Sequence, residues 1–254
     1  MNTYLTIPVN FSVADYYRFR KLNEIIQSIL DSKKDQKEVV IIDIGSGAGQ
    51  FMRYIKENCP KDIKLKFIGI DKYISDRSFD FDLRNEDIED KINLQDNYAD
   101  IIIASEIIEH IRNTDTFIKE LKRILKNDGS ILITTPNLAS YFNRFLLLFG
   151  YQPYHSEVSD IESGFGLGLV YKVLNRPKYG NQTAGHLRLF TFKALRDFVE
   201  YYGFEVVLYC PVFFSYFRED NKRVSVIKCF YILDRIISRI FPTLATGMIF
   251  HLKK

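Results

Sequence analysis

The amino-acid sequence predicts an α/β fold with a doubly wound, mostly parallel sheet. Two observations predict it. Short apolar runs alternate with amphipathic helical patterns, and the first run ends in a glycine-rich loop that opens a helix. Strands that alternate with helices form parallel sheets through right-handed crossovers. A chain of 254 residues with 46% hydrophobic and 26% charged residues can bury such a core. We expect a single domain over residues 1–254.

Each predicted element has its own pattern. Apolar residues at helical spacing indicate helices, whereas apolar runs bounded by glycine or other turn residues indicate strands buried on both faces. The Asn-Asp-Gly sequence at 127–129 is expected to end the helix before it. In chain order, the predictions are a helix over 14–33, a strand over 39–43, a helix over 49–59, strands over 64–71 and 99–108, a helix over 115–129, a strand over 130–137, a helix and strand within 191–210, and a last strand over 246–254.

Two insertions interrupt this alternation. Residues 138–185 are aromatic and rich in glycine, and such long segments between sheet strands often form lids or binding elements. We expect a lid or substrate element there. Residues 211–244 contain a helical insertion with basic residues beside one apolar stripe. This helix either packs against the sheet, which is the commoner role, or contacts a membrane surface peripherally.

Charge and cysteine content narrow the function classes. A formal net charge of +3 does not by itself indicate nucleic-acid binding. Three widely spaced cysteines fit neither a disulfide framework nor a zinc motif, and they favour a reducing compartment. The first residues lack a secretory signal pattern, and no uncharged apolar run approaches the ~20 residues of a membrane-spanning helix. The sequence therefore predicts a cytoplasmic protein.

Glycine occupies every second position after the first predicted strand. Gly45, Gly47 and Gly49 follow Asp43, and glycine inside ordered structure costs stability unless the backbone must come close to something. In parallel sheets, ligands bind at the carboxyl ends of the strands, where the next strand ends on Asp71. A carboxylate there can accept hydrogen bonds from two ribose hydroxyls. The G-x-G-x-G spacing differs from the dinucleotide pattern, and an acid ahead of it favours a cationic ligand over pyrophosphate.

These residues belong to an ordered series of segments: "IIDIGSGAGQF", "FIGIDKY", "FDLRNEDI", "NYADIIIASEIIEHI", "ELKRILKNDGSILITTPN" and "HLRLFTFKALRDFVEYYGFEV". Over about residues 37–210 the chain resembles class I S-adenosylmethionine-dependent methyltransferases. The resemblance implies a Rossmann-like methyltransferase fold, in which a seven-stranded, mostly parallel sheet has an antiparallel C-terminal strand.

The resemblance also implies S-adenosylmethionine as cofactor. The implied contacts are Asp43, Gly45, Ser46, Gly47 and Gly49 in the first loop, Asp71 and Lys72 after the second strand, Asp82 and Leu83 beside the adenine, and Glu106 near the methionine part. Asp71 would hold the ribose. Only ten residues separate Asp71 from Asp82, which is short for the family's usual helix and following strand.

The segment "SEIIEH" carries the candidate catalytic residues. Glu106, Glu109 and His110 would converge on a helical turn, and His186 follows the first insertion. Two carboxylates and two imidazoles can bind a divalent metal such as Mg. The E-x-x-E-H pattern with a later histidine is similar to metal-dependent O-methyltransferases of polyprenylated quinone precursors and of small-RNA ribose 2′-hydroxyls. Alternatively, His110 acts directly as a base, or the segment is structural and binds no metal.

The expected activity is O-methylation of a small-molecule or lipid/glycan-linked acceptor, with His110 as the catalytic residue. Two alternatives remain. One is metal-dependent 2′-O-methylation of RNA ribose, and the other is a non-catalytic cofactor-binding partner protein. A nicotinamide-dependent dehydrogenase is disfavoured by the glycine spacing.

Overall fold

The computed structural model describes residues 13–59, 63–74, 81–173, 182–212 and 236–254. Its helices are α1 (Val13–Asp31), α2 (Gln50–Asn58), α3 (Thr114–Ile124), α4 (Tyr141–Leu148), α5 (Gly168–Val173) and α6 (Phe192–Tyr201), with 3-10 turns at Ile108–His110 and Pro242–Leu244. Its strands are β1 (Glu38–Ile44), β2 (Lys64–Asp71), β3 (Asp82–Asn85), β4 (Ala99–Ser105), β5 (Leu125–Pro136), β6 (Glu205–Val212) and β7 (Gly247–Lys253).

The strands form one seven-stranded sheet in the order β3-β2-β1-β4-β5-β7-β6. The pairs from β3 through β5 are parallel, whereas β7 runs antiparallel to both β5 and β6. The predicted fold class, including the antiparallel C-terminal strand, is confirmed. Sequence order reverses between β1 and β4, and such a switch point is where open α/β sheets bind ligands.

Hydrophobic cores cover both faces of the sheet. Alternate residues of β1 point to opposite sides, so Ile42 joins one cluster with Phe117 of α3, and Ile41 joins the other with Leu22 of α1. Each fully buried side chain of this size contributes about 1.5–3 kcal/mol relative to an exposed one. Burial on both faces explains why the central strands have nearly continuous apolar sequences.

Two predicted element boundaries are wrong. The strand expected to reach residue 108 ends at Ser105, because the next residue turns the chain out of the sheet. The helix expected to reach residue 129 ends at Ile124, and β5 begins at once. Ala99 pairs with Leu125 and Ile101 with Ser130, so residues 126–129 form a bulge that absorbs the Asn-Asp-Gly turn.

The insertions are described only in part. Helices α4 and α5 lie within 138–185, where Leu146, Leu167 and Tyr171 form a small apolar cluster, and residues 174–181 are outside the described part. Most of the predicted basic helix within 211–244 also lies outside the described residues. Among the described helices, none is long and apolar enough to cross a membrane. The lid and membrane-contact roles stay predictions.

A buried network of ion pairs lies at the amino end of the sheet. Asp100, at the start of β4, is fully buried and accepts hydrogen bonds from the Val40 amide at 2.9 Å and from the Lys126 ammonium at 2.7 Å. The Lys33 ammonium lies 3.5 Å from Asp100 and 2.6 Å from Asp128. The network links the end of α1 to β1, β4 and the β5 bulge.

Replacing Asp100 with asparagine is expected to lower the free energy of unfolding by about 1.5–3 kcal/mol, because it removes charge-assisted hydrogen bonds and leaves buried Lys33 with less compensation. Urea unfolding followed by circular dichroism measures the change. Asp128→Asn is the matched control. Asp128 is mostly exposed, so we expect a loss of at most about 1 kcal/mol. Equal losses in the two variants would contradict the role assigned to Asp100.

Candidate functional site

The glycine loop between β1 and α2 lies at the carboxyl edge of the sheet. Gly45, Gly47 and Gly49 have φ angles of +77°, +52° and +85°, which residues with a side chain rarely adopt. The Gly45 amide donates a hydrogen bond to the Ile70 carbonyl at 2.8 Å. A Cβ atom at Gly47 would meet only the Gln50 side chain, 3.9 Å away. Open space therefore lies beside the bare backbone at Gly47, as a closely bound ligand requires.

Ser46 packs this loop against β2. Its amide donates a hydrogen bond to the Ile70 carbonyl at 3.3 Å, and the residue is almost fully buried. Its Oγ atom would lie 2.6 Å from a Cβ atom at Gly69, so only glycine at that position in β2 lets the loop pack so closely.

Asp71 ends β2, and its carboxylate is held by two backbone amides. Oδ2 accepts a hydrogen bond from Gly47 at 2.9 Å, and Oδ1 accepts one from Tyr73 at 2.8 Å. These bonds fix the orientation of the carboxylate, and each oxygen keeps a second acceptor position. The group is thus oriented to accept two further hydrogen bonds, as from a ribose diol.

Asp43 is a buried acid beside this edge. Only 4% of the residue is exposed. Burial, with a smaller contribution from the Asp71 charge, raises the pKa of Asp43 to about 7. A cationic ligand nearby favours the ionised carboxylate, so Asp43 is suited to a positively charged molecule.

The pKa of Asp43 predicts that the affinity for the expected cofactor, S-adenosylmethionine, rises with pH. Below about pH 7 a cationic ligand must displace the proton from Asp43, so affinity should fall about tenfold per pH unit, and it should level off above that pH. Calorimetric measurement of the cofactor affinity at pH values on both sides of this pKa tests this expectation. In Asp43→Asn the dependence should flatten, and an unchanged slope would show that another group is responsible.

Two of the expected cofactor residues have other partners. The Lys72 ammonium lies 2.6 Å from the Asp87 carboxylate, which neutralises its charge at the surface. Leu83 belongs to the core cluster on the α1 side of the sheet, and its side chain would lie 3.6 Å from a Cβ atom at Gly49. Leu83 therefore packs behind the glycine loop and supports it.

The expected contact of Asp82 with the adenine stays a prediction, and the position of Asp82 in the sheet argues against it. Asp82 opens β3 and pairs in register with Ile68, three residues short of the edge where Asp71 lies. Its carboxylate is 2.7 Å from the Arg84 guanidinium. The residue paired with Asp71 is Asn85, which the sequence reasoning missed. The available signal was position, since Asn85 is the last residue of a short strand for which the sequence analysis predicted no element.

Glu106 follows β4 in a strained conformation. Its φ is +55°, a region that costs a residue other than glycine about 1–3 kcal/mol and that often occurs at functional sites. Its Oε1 accepts a hydrogen bond from the Thr134 hydroxyl at 2.7 Å, and its Oε2 is 3.5 Å from Arg18 of α1. Helix α1 therefore reaches this edge of the sheet through Arg18, whereas Arg20 pairs with Glu24 on the surface.

Three of the four predicted metal ligands come together. Glu109, His110 and His186 each place one potential ligand atom within 4.8 Å of the others. The two imidazole ring centroids are 4.9 Å apart. The 3-10 turn at 108–110 brings Glu109 and His110 to the site, and the segment after the first insertion brings His186. Glu106 lies outside this cluster.

Glu109 is fully buried, which is unusual for a carboxylate. Its Oε2 accepts a hydrogen bond from the Thr135 hydroxyl at 3.0 Å, and its Oε1 has no hydrogen-bond partner in the described part of the chain. Burial, together with the Glu106 charge, raises the pKa of Glu109 well above its usual range. A buried oxygen without a partner beside two imidazoles suits a cation that would replace the proton.

Backbone carbonyls fix both imidazoles in one tautomer. His110 Nδ1 lies 3.0 Å from the Gly185 carbonyl, and His186 Nδ1 lies 2.9 Å from the His155 carbonyl. A carbonyl oxygen only accepts, so each Nδ1 carries a proton, and in the neutral ring each Nε2 keeps its lone pair. Burial also lowers the pKa of His110, which favours the neutral ring. Neutral imidazoles oriented by a backbone carbonyl are the usual state of metal-ligating histidines.

The remaining histidines separate into two roles. His155 is half-buried, with its ring centroid 5.6 Å from that of His186. His251 lies in β7 with Nε2 2.9 Å from the Ser130 hydroxyl, and burial lowers its pKa to about 4. It is a buried histidine within the sheet.

Thr134 and Thr135 were also missed. They end a strand that the sequence correctly marks as buried, and they hold Glu106 and Glu109 respectively. Their signal was two adjacent hydroxyls at the carboxyl end of a central strand, next to the strand that precedes both glutamates.

Comparison with known proteins identifies the family. The methyltransferase domain family matches residues 14–209. The ubiquinone biosynthesis O-methyltransferase of Pelagibacter ubique is 31% identical over 123 residues, covering 44% of this chain and 49% of that protein. The mitochondrial enzyme of the same name from Rattus norvegicus is 28% identical over 120 residues, covering 42% of this chain and 33% of that protein. Each match spans less than half of the relative's length.

Among solved structures, a SAM-dependent methyltransferase from Archaeoglobus fulgidus has the same fold, with a TM-score of 0.51 and 21% identity. That alignment covers 93% of this chain and 96% of the other. The family match extends from α1 to β6 and includes the glycine loop, Asp71 and the 3-10 turn that carries Glu109 and His110. This chain belongs to the methyltransferase domain family.

Proposed function

We propose that this protein is an S-adenosylmethionine-dependent methyltransferase that methylates an oxygen atom of a small-molecule or lipid/glycan-linked acceptor. One observation carries the proposal: an open glycine loop with Asp43 and Asp71 shares the carboxyl edge of the sheet with the Glu109–His110–His186 cluster. Membership of the methyltransferase domain family supports methyl transfer. The similarity to two proteins named O-methyltransferases supports oxygen as the acceptor atom.

The residues at the carboxyl ends of β1 and β2 fit the cofactor. The bare backbone around Gly47 allows a ligand to approach, and the oriented Asp71 carboxylate can accept hydrogen bonds from ribose hydroxyls. Asp43 favours positive charge, and S-adenosylmethionine carries a sulfonium and an ammonium group. When bound, the cofactor supplies a methyl group to an in-line displacement. The protein's main contribution is to align the two reactants, which can be worth roughly 7–11 kcal/mol of the barrier.

The residues that follow β4 and the first insertion fit a divalent cation. Glu109 provides a buried oxygen without a partner, and His110 and His186 provide Nε2 lone pairs. This mixed donor set suits Mg, Mn, Fe or Zn. A bound cation would act as a Lewis acid on an acceptor hydroxyl and lower its pKa. Glu109 and the two histidines would hold that ion, while Thr135 and the Gly185 and His155 carbonyls keep the three ligands oriented.

A metal-free reaction is the second candidate, and the His110 environment favours it specifically. A neutral imidazole with a free Nε2 lone pair is a competent base for an acceptor hydroxyl. In that reaction His186 and Glu109 would help to position His110 without themselves contacting the acceptor.

The proposal is tested with methyl-labelled cofactor and separate pools of small metabolites, lipids, glycans and RNA. Label in an alkali-stable ether of a small, lipid or glycan product supports the proposal. Label in RNA ribose supports the RNA alternative instead, if the protein also binds RNA and this binding weakens as salt is added. Tight cofactor binding without transfer to any pool would favour a non-catalytic partner protein. No binding at millimolar cofactor would refute the proposal.

A further inference from the structure

The Glu157 carboxylate accepts hydrogen bonds from three successive backbone amides. Oε1 accepts a hydrogen bond from Ala184 at 2.6 Å, and Oε2 accepts hydrogen bonds from Gly185 at 2.7 Å and His186 at 2.9 Å. Consecutive amides that converge on one point form a concave anion site. Here that site is filled by a carboxylate from the first insertion.

These bonds hold a segment that packing alone does not hold. Residues 182–189 include no buried residue, and the first residue of this stretch that packs against a core cluster is Phe190. The Glu109 carbonyl adds two hydrogen bonds on the other side, from the Leu187 amide at 2.9 Å and the Arg188 amide at 3.3 Å. The Glu157 carboxylate therefore accepts hydrogen bonds from one part of the segment, and the Glu109 carbonyl accepts them from the part that follows. His186 lies between these two contacts.

The same segment sets both imidazoles. Gly185 has a φ of +81°, a conformation suited to glycine, and its carbonyl accepts the His110 Nδ1 proton at 3.0 Å. His155, two residues before Glu157, offers its carbonyl to His186 Nδ1 at 2.9 Å. Glu157 is thus two residues from His155, whose carbonyl faces His186, and it accepts a hydrogen bond from the amide of Gly185, whose carbonyl faces His110.

We infer that Glu157 is a positioning residue, which holds the 184–186 backbone so that His110 and His186 keep Nδ1–H tautomers and direct their Nε2 lone pairs to one site. The inference rests on the proposed function for its importance to methyl transfer, but its structural claim stands separately. Glutamine at this position leaves one acceptor oxygen and places an NH₂ group against a backbone N–H. It therefore breaks at least one of the three bonds and removes the charge from the others.

The test compares Glu157→Gln with wild-type protein by long-range ¹H–¹⁵N NMR of the histidine rings at mildly alkaline pH, where unperturbed imidazoles are neutral. His110→Gln and His186→Gln assign the signals, and Asp160→Asn, an exposed carboxylate three residues away, is the control. In wild type and in Asp160→Asn, both rings should show Nδ1–H tautomers. In Glu157→Gln, a substantial population of Nε2–H should appear at His110, at His186 or at both.

Methyl transfer gives a second readout. We expect kcat of Glu157→Gln to fall roughly 10- to 100-fold, with KM for the cofactor changed by less than about twofold, since misplaced catalytic groups lower kcat and the cofactor residues are untouched. Unchanged tautomers in Glu157→Gln would overturn the inference. A ring in the Nε2–H form in wild type would also overturn it, even if the variant fails to fold. Shifted tautomers with full activity in both histidine variants would keep the positioning role and refute a role of the histidine pair in methyl transfer.

Discussion

Replacing Asp71 with alanine is expected to weaken S-adenosylmethionine binding by roughly 30- to 1000-fold. Charge-assisted hydrogen bonds are worth about 1.5–3 kcal/mol each. Losing two bonds to ribose should therefore cost about 2–4 kcal/mol after water replaces the missing groups. The substitution also removes the acceptor that holds the Gly47 amide, so part of the loss would come from a less ordered glycine loop.

Asp82→Ala is the matched control for Asp71→Ala. Both residues are acidic and lie on neighbouring strands, but Asp82 is three residues away from the ligand edge and is paired with Arg84. We expect its cofactor affinity to stay within about twofold of wild type, as for a surface ion pair. Calorimetry on the two variants measures both values. A large loss in Asp82→Ala with a small loss in Asp71→Ala would reverse the placement of the cofactor on this edge.

The parts of the fold that follow from burial were predictable from the sequence. Strands such as β1 and β4 are apolar on both faces because helices cover both sides of the sheet, and this leaves a clear pattern in the chain. The ends of elements were less predictable. The Asn-Asp-Gly turn looks like a helix stop, but pairing of fully buried Leu125 with β4 takes the chain into a strand before that turn is reached.

The candidate site was predictable where one local stretch carries the chemistry. Asp43, the three glycines and Asp71 lie at strand ends whose positions the pattern fixes. The position of Asp82 in the sheet was not predictable, because β3 has only four residues and no apolar run marks it in the sequence. Glu157 was missed because its role depends on contact with amides 27–29 positions later in the chain, and a carboxylate in a loop gives no sign of such contacts.

Replacing His186 with alanine is expected to lower methyl transfer by roughly 100- to 10,000-fold if the cluster holds a metal, because a Lewis acid contributes several kcal/mol to the reaction. Cofactor affinity should be unchanged, since Asp43 and Asp71 are untouched. Titration with Mn²⁺ in a calorimeter should show a site in wild type that is lost in His186→Ala. Glu106→Gln should retain this site, because Glu106 lies with Thr134 and Arg18, outside the cluster.

The same variant separates the metal-dependent reaction from direct base catalysis by His110. If a cation is bound, His186→Ala, His110→Ala and treatment with EDTA should each abolish most activity, and added metal should restore only the EDTA-treated protein. If His110 is the base, its own replacement should cost about 100- to 10,000-fold, whereas EDTA should have no effect. His186→Ala should then cost much less, because His186 would act only through the position of the neighbouring ring, 4.9 Å away. Full activity in His186→Ala after EDTA treatment would exclude metal binding by this cluster as part of the reaction.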